Sequence, residues 1–167
     1  MLSINDRDEF HTLRLVGLES HPEAFATDDE DWRSAPQETI DAMLRQSGST
    51  GDRPIWGAFG PHLVGVVGLR REPRPSTRHK ASLWGLYVDP NHRRKGVGKE
   101  LLAELLRHAE SMSGLEQIRL VVTADNAAAI ALFDRFGFRS YGKEERARLV
   151  NGRYYDQVYM CRFLYKI

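Results

Sequence analysis

The stretch Leu83–Leu102 constrains this chain more than any other. Leu83–Val88 reads as a β-strand, halted by Asp89-Pro90. A basic loop follows, His92-Arg93-Arg94-Lys95-Gly96-Val97-Gly98-Lys99, and it opens directly into a helix predicted over Gly98–Ser113. Val97, Leu101, Leu102, Leu105, Leu106, Ala109 and Met112 lie at helical spacing and form one apolar stripe. The first N–H groups of a helix lack partners, and the helix dipole places partial positive charge there. Successive loop N–H groups form a concave anion nest. Gly96 and Gly98 allow the backbone to approach a ligand closely. Together these features describe a pyrophosphate site, with Arg93, Arg94, Lys95 and Lys99 adding charge. The Walker A pattern fails because Glu100 follows Lys99, and the dinucleotide pattern fails because Leu101 stands where its third glycine belongs.

The elements around this stretch alternate irregularly. Asp6 starts a helix, with Glu9 at the capping-box position and Phe10, Leu13 and Val16 at helical spacing. A second helix is expected near Pro36–Gln46. Ile55–Phe59 and His62–Arg70 read as strands joined at Gly60-Pro61, and Ser82–Val88 as the third. Ile118–Thr123 is a strand, and Asp125 or Asn126 caps a helix running through Phe136 and ended by Gly137. Phe138–Gly142 and Gln157–Leu164 complete the set. This order predicts a single α/β (α+β) domain over residues 1–167, with a mixed sheet rather than a strictly parallel one.

Composition narrows the classes of function. The chain has 167 residues, 24 Lys plus Arg against 23 Asp plus Glu, and a net charge of +1. That balance gives no bulk attraction to nucleic acid or to a membrane surface. No apolar run approaches the ~20 residues of a membrane span, and the first residues do not have the pattern of a signal peptide. The lone Cys161 excludes an internal disulfide and suits a reducing cytoplasm. No metal site is expected.

Arg93-x-x-Gly96-x-Gly98, preceded by Leu86-Tyr87-Val88-Asp89-Pro90, resembles the acetyl-CoA motif of GNAT acetyltransferases. Asn126-Ala127-Ala128-Ala129-Ile130-Ala131-Leu132-Phe133-Asp134-Arg135-Phe136-Gly137-Phe138 resembles that family's Asn…Ala…Tyr…Gly-Phe signature. Phe10–Leu15 with Pro22–Phe25, and Gly152–Asp156, are similar to one large bacterial branch. The resemblance implies a mostly antiparallel sheet, splayed between the two strands that hold acetyl-CoA and flanked by about four helices. It implies cofactor contacts from Leu86, Tyr87, Val88, Arg93, Arg94, Lys95, Gly96, Val97, Gly98, Lys99, Asn126, Ala129 and Phe133. The Leu86 N–H would donate to the thioester oxygen. The implied reaction is direct attack on acetyl-CoA by a primary amine of a small molecule or peptide, and a homodimer is compatible with it.

Two positions depart from the family pattern. Phe133 stands where many relatives carry the Tyr that protonates the departing thiolate, and Ser82 where some carry a Glu. The general acid and base stay open among Glu72, His79, Tyr141, Tyr154, Tyr155 and Asp156, with Tyr141 and Tyr154 the leading catalytic candidates, and with a water chain as the alternative. The acceptor pocket is expected from Glu23–Arg33, the Arg71–Lys80 loop and Arg148–Asp156. A non-catalytic acetyl-CoA sensor is the competing reading. A nucleic-acid binder is disfavoured because no second basic stripe accompanies the loop.

Overall fold

The computed structural model describes residues 1–25, 28–49 and 51–164. Six strands form one sheet: β1 (Ile55–Phe59), β2 (Leu63–Arg71), β3 (Lys80–Val88), β4 (Gln117–Thr123), β5 (Arg139–Val150) and β6 (Arg153–Phe163), in the order β1-β2-β3-β4-β6-β5. Every neighbouring pair is antiparallel except β3–β4. That parallel pair is joined by α4 (Val97–Ser111), the crossover helix such a connection needs. The other helices are α1 (Arg7–Ser20), α2 (Asp29–Arg33), α3 (Gln37–Ser49) and α5 (Ala127–Arg135).

Each face of the sheet carries its own core, while β5 at its edge is mostly exposed. On one, Leu101, Leu102, Leu105, Leu106 and Ala109 of α4 and Phe133 of α5 pack against Val67, Leu69, Ile118 and Leu120. On the other, Phe10, Leu13 and Leu18 of α1, Trp32 of α2, and Ile40 and Leu44 of α3 pack against Ile55, Val66 and Tyr87. Fully burying side chains of this size is worth about 1.5–3 kcal/mol each, which is why α1–α3 and α4–α5 divide between the two faces.

Helix α1 begins as expected, but Asp6 and Glu9 do different work. The Asp6 carboxylate accepts from the N–H (2.7 Å) and hydroxyl (3.0 Å) of Ser3, one turn earlier. Glu9 accepts from the Leu63 N–H and so ties α1 to the start of β2.

The largest departure from the expected elements is the β5–β6 hairpin. The sequence reading ends β5 at Gly142 and starts β6 at Gln157, whereas the ladder continues to Val150↔Arg153. Asn151 and Gly152 form its two-residue turn with φ of 49° and 77°. Positive φ at both positions matches the right-handed twist of the strands, and Asn-Gly supplies it readily.

Candidate active site

The site is made by two strands that start as neighbours and then part. β3 and β4 pair only over Lys80↔Gln117, Ala81↔Ile118 and Ser82↔Arg119. Beyond that row β4 continues to pair with β6, while β3 continues to pair with β2. A fissure opens between them.

A bulge sits at the edge of this fissure. Val66 faces Tyr87 and Gly68 faces Trp84, so β3 spends one residue more than β2 over the same span. Gly85 takes φ +66°, a left-handed conformation that a side chain makes costly. The extra residue resets the alternation of β3. Leu83, Leu86 and Val88 thereby all face the α4 core, while Trp84 and Tyr87 face the α1 core. Among the described residues, Gly85 and Leu86 have no register partner on either neighbouring strand. Their backbone therefore borders the fissure without a place in the ladder.

On the α4 side, a cleft of about 1130 Å³ follows the fissure. Leu86, Tyr87, Val88, Arg93, Arg94, Gly96, Val97, Gly98, Lys99, Asn126 and Ala129, separated along the chain, are all brought to its wall. Gly96 caps α4 at φ +86° and offers the helix start no side chain. Gly96 and Gly98 leave the backbone at this helix start open to the cleft, with Arg94 and Lys99 beside it. A Cβ on Gly98 would lie 3.7 Å from both Val88 and Leu132, across the narrow part of the cleft. Arg93 is partly committed to the fold. Its Nε donates to the Val88 carbonyl at 2.9 Å, and the guanidinium lies 5.6 Å from the centre of the Tyr87 ring. Asn126 caps α5, accepting from the Ala129 N–H at 3.1 Å.

Two of the expected cofactor residues are not on this wall. The Lys95 side chain is exposed outside it. Phe133 is buried beneath it, 4% exposed and edge-on to Phe138 at 5.7 Å, and Ala129 and Leu132 line the cleft in its place. All three residues belong to one face of α5 packed on the α4 core, Ala129 and Leu132 at its half-buried edge and Phe133 fully within it.

A second cavity, about 680 Å³, opens on the α1 side and shares Ala24 and Phe25 with the cleft. Tyr141 lines it. Tyr154 lines neither space; it is exposed beneath the Arg146 guanidinium, 5.2 Å from its ring centre. Tyr155 lines the cleft, with Arg153 stacked over it at 4.8 Å. His79 lines neither. Glu72 accepts from Arg119 at 3.1 Å and from the Ser82 hydroxyl at 3.4 Å. Asp156 is paired with Lys143 at 2.8 Å and accepts the Arg146 N–H, and these hold its carboxyl below the usual range. It is therefore a weak base.

The expected acceptor segments are also redistributed. The Arg71–Lys80 loop and Arg148–Asp156 contribute nothing to the second cavity among the described residues. Of Glu23–Arg33, residues 26 and 27 lie outside the described ones, and Ala24 and Phe25 do line it. The rest of the wall comes from α1, α3 and the strands. Arg14 is the clearest residue the sequence reading missed. Its guanidinium is sandwiched between Trp32 (4.7 Å) and Trp84 (5.1 Å), and burial lowers its pKa to about 10, which leaves it charged near neutrality. An arginine on the apolar stripe between Leu13 and Gly17 was the available signal. Tyr159, also on this wall, donates to Glu144. Among the described residues, no group of three or more His, Cys, Asp or Glu is placed to hold a metal ion.

The fold and the cleft define a scaffold with a splayed mixed sheet and a helix start at the end of the fissure. Comparison with known proteins agrees: the Acetyltransferase (GNAT) family matches residues 12–138. The chain belongs to the GNAT family. A curated relative, the L-amino acid N-acetyltransferase AaaT of Escherichia coli, is 32% identical over 100 residues, covering 60% of this chain and 61% of that protein. The chain thus aligns with less than two thirds of that relative's length. A GNAT-family acetyltransferase structure from Streptococcus pneumoniae superposes with a TM-score of 0.86 at 24% identity, over 96% of this chain and 95% of that one. The structure of yncA from Salmonella typhimurium with its cofactor acetyl-CoA superposes with a TM-score of 0.84 at 20% identity, over 99% and 92%.

Proposed function

We propose that this chain is an N-acetyltransferase that moves the acetyl group of acetyl-CoA to an amine. The observation that carries the reading is the parting of β3 from β4 after Ser82↔Arg119, with the start of α4 at the end of the same cleft. The cleft has the two ends that coenzyme A needs. One is a helix start without a side-chain cap, with Arg94 and Lys99 for phosphates. The other is an unpaired strand edge for the pantetheine amides. Acetyl-CoA supplies an activated thioester. The Leu86 N–H, outside the sheet ladder, is the donor for the oxygen that gains charge as the amine attacks. Asn126 and Ala129 form the far wall.

In the balanced reaction the amine nitrogen bonds to the acetyl carbon, the carbon–sulfur bond breaks, and the sulfur keeps its electron pair. The attacking neutral amine loses one proton from its nitrogen, and that proton ends on the sulfur or in solvent. No dedicated side-chain acid stands at Phe133, and this proton moves through water, with Tyr141 as the hydroxyl on the acceptor side. The relative named as an L-amino acid N-acetyltransferase supports a small amine as acceptor. The lone buried Cys161 is compatible with a reducing cytoplasm.

The test is thiol release from acetyl-CoA with a panel of amines, alongside calorimetry. Gly98→Val is expected to weaken acetyl-CoA at least tenfold with an unchanged circular dichroism spectrum, since its side chain enters the gap between Val88 and Leu132. Unchanged affinity would remove the cleft from the reading. Tight acetyl-CoA binding without thiol release for any amine would favour the non-catalytic sensor instead.

A further inference from the structure

The second cavity has a one-sided charge. Arg14, Arg53, Arg70 and Arg119 line it, and among the described residues no carboxylate does. Three of its residues form a row across the sheet. Arg70 of β2 lies opposite Ser82 of β3, and Ser82 lies opposite Arg119 of β4. Directly opposed residues share a face and stand about 4.5–5.5 Å apart at Cβ. Two guanidinium groups thus flank one hydroxyl at the closed end of the fissure. Glu72 stands beside this row and balances part of the charge, accepting from Arg119 at 3.1 Å and from the Ser82 hydroxyl at 3.4 Å, a long contact that an anion bound to Arg70 and Arg119 would replace. The Nε of Arg119 is buried without a hydrogen-bond partner. Arg53 meets the neutral side chain of Gln46 at 3.3 Å. Arg53 and Arg70 are exposed and the Arg119 side chain is 35% exposed, so an anion entering here meets cations that are at most partly desolvated and gains charge-assisted bonds from them.

The position of the row relative to the reacting centre sets the shape of the ligand. Ser82 precedes Leu86 by four residues, at most about 13 Å along a strand rising ~3.3 Å per residue, a span that the bulge at Gly85 shortens. Between them the wall carries Trp84 and, from other elements, Phe25 and Met43, with the Arg14 guanidinium lying against Trp84. We propose that the acceptor is a small amine with an anionic group several bonds from its reacting nitrogen, and that Arg70, Ser82 and Arg119 hold that anion. The volume of about 680 Å³ suits a small molecule. The proposal rests on the acetyltransferase reading of the adjoining cleft. A carboxylate and a phosphate ester share the required chemistry, since both accept charge-assisted bonds from guanidinium groups.

The experiment compares matched acceptors in thiol release. The pairs are 6-aminohexanoate against 6-aminohexanamide, and 6-aminohexyl phosphate against 6-amino-1-hexanol, with 1,6-hexanediamine as the cationic control. The expected result is that the anion in at least one pair raises kcat/KM about tenfold or more, the scale of one charge-assisted contact. The pair that responds identifies carboxylate or phosphate as the source. Arg70→Gln and Arg119→Gln should each bring that ratio most of the way to one. Arg70 is exposed, so its variant keeps the test valid if Arg119→Gln, which strands Glu72, fails to fold. Calorimetry of the same ligands with the coenzyme-A-loaded protein gives a second readout independent of turnover, and the same preference is expected there. Ratios near one in both pairs, a preference for the diamine, or ratios unmoved by Arg70→Gln would overturn the proposal. Acetyl-CoA binding that persists in those cases would leave the reading of the cleft standing, whereas its absence would remove the reading itself.

Discussion

Phe133 shows how one residue joins sequence pattern to site chemistry. It occupies the position of a family tyrosine, yet its ring is 4% exposed and packed edge-on to Phe138 in the α4 core. A hydroxyl added there without a partner costs about 1–3 kcal/mol. Phe133→Tyr is therefore expected to lower stability by that amount in urea unfolding and to leave kcat unchanged or reduced. A higher kcat with unchanged KM and stability would instead place the new hydroxyl at the departing sulfur. Gly85 carries the opposite lesson. Its φ of +66° makes the bulge that removes Leu86 from the ladder, and a Cβ there would stand 2.9 Å from the Arg14 guanidinium. One residue with no side chain thus serves both the backbone donor and the arginine beside it.

At the scale of elements, β2 and β3 are fitted to each other. A Cβ on Gly68 would fall 2.1 Å from the Trp84 ring, so the glycine is the space the indole fills on the wall of the second cavity. Gly68→Ala is expected to cost about 1–3 kcal/mol through overpacking. In a Trp84→Leu background most of that cost should vanish, giving a coupling energy of about 0.5–3 kcal/mol in a double-mutant cycle. Additive losses would show that the two residues do not compete for the same space. The turn between β3 and the basic loop depends on Asp89, which accepts from the Asn91 N–H at 2.8 Å and from His92. The Asn91 bond, then His92, lower its pKa. A carboxylate depressed on folding stabilises the native state above its unfolded pKa, and that stability is lost as pH falls through the depressed value. The stability gap between the native protein and Asp89→Asn should therefore be full at pH 7 and close in strong acid. A gap independent of pH would mean that the charge of Asp89 plays no part.

Over the whole molecule, the cofactor cleft draws its walls from the 3₁₀ turn at Pro22–Ala24, β3, α4, α5 and β6. Thr123 at the end of β4 donates to the Glu23 carbonyl at 2.9 Å, tying that turn to the fissure. A ligand in the cleft bridges elements from both faces of the sheet. At a hundred times its Kd, acetyl-CoA should add about 2.7 kcal/mol by mass action. For a domain of this size that raises Tm by roughly 2–4 °C per kcal/mol. Differential scanning fluorimetry checks this, and an unmoved Tm at a concentration shown by calorimetry to saturate the site would contradict it.

Much of the site was legible in the chain because it is local. Arg93–Lys99 form one loop at one helix start, and the Asn126 cap with Ala129 lies in one turn of α5, so spacing alone joins them. The alternation of β3 was also legible, but its reset at Gly85 was not, because an isolated glycine in a strand signals a bulge without saying which neighbouring strand it faces. The long β5–β6 hairpin announced itself in Asn151-Gly152, and its charged, exposed strands hid it by giving no apolar alternation. The sequence by itself determined the strand–loop–helix cradle and the helical stripes, since these follow from residues within a few turns of one another. Only the tertiary structure decided the acceptor side. Arg14, Arg70, Ser82 and Arg119 come from one helix and three strands, and strand register, set by packing on two faces rather than by local propensity, is what brings them to one wall.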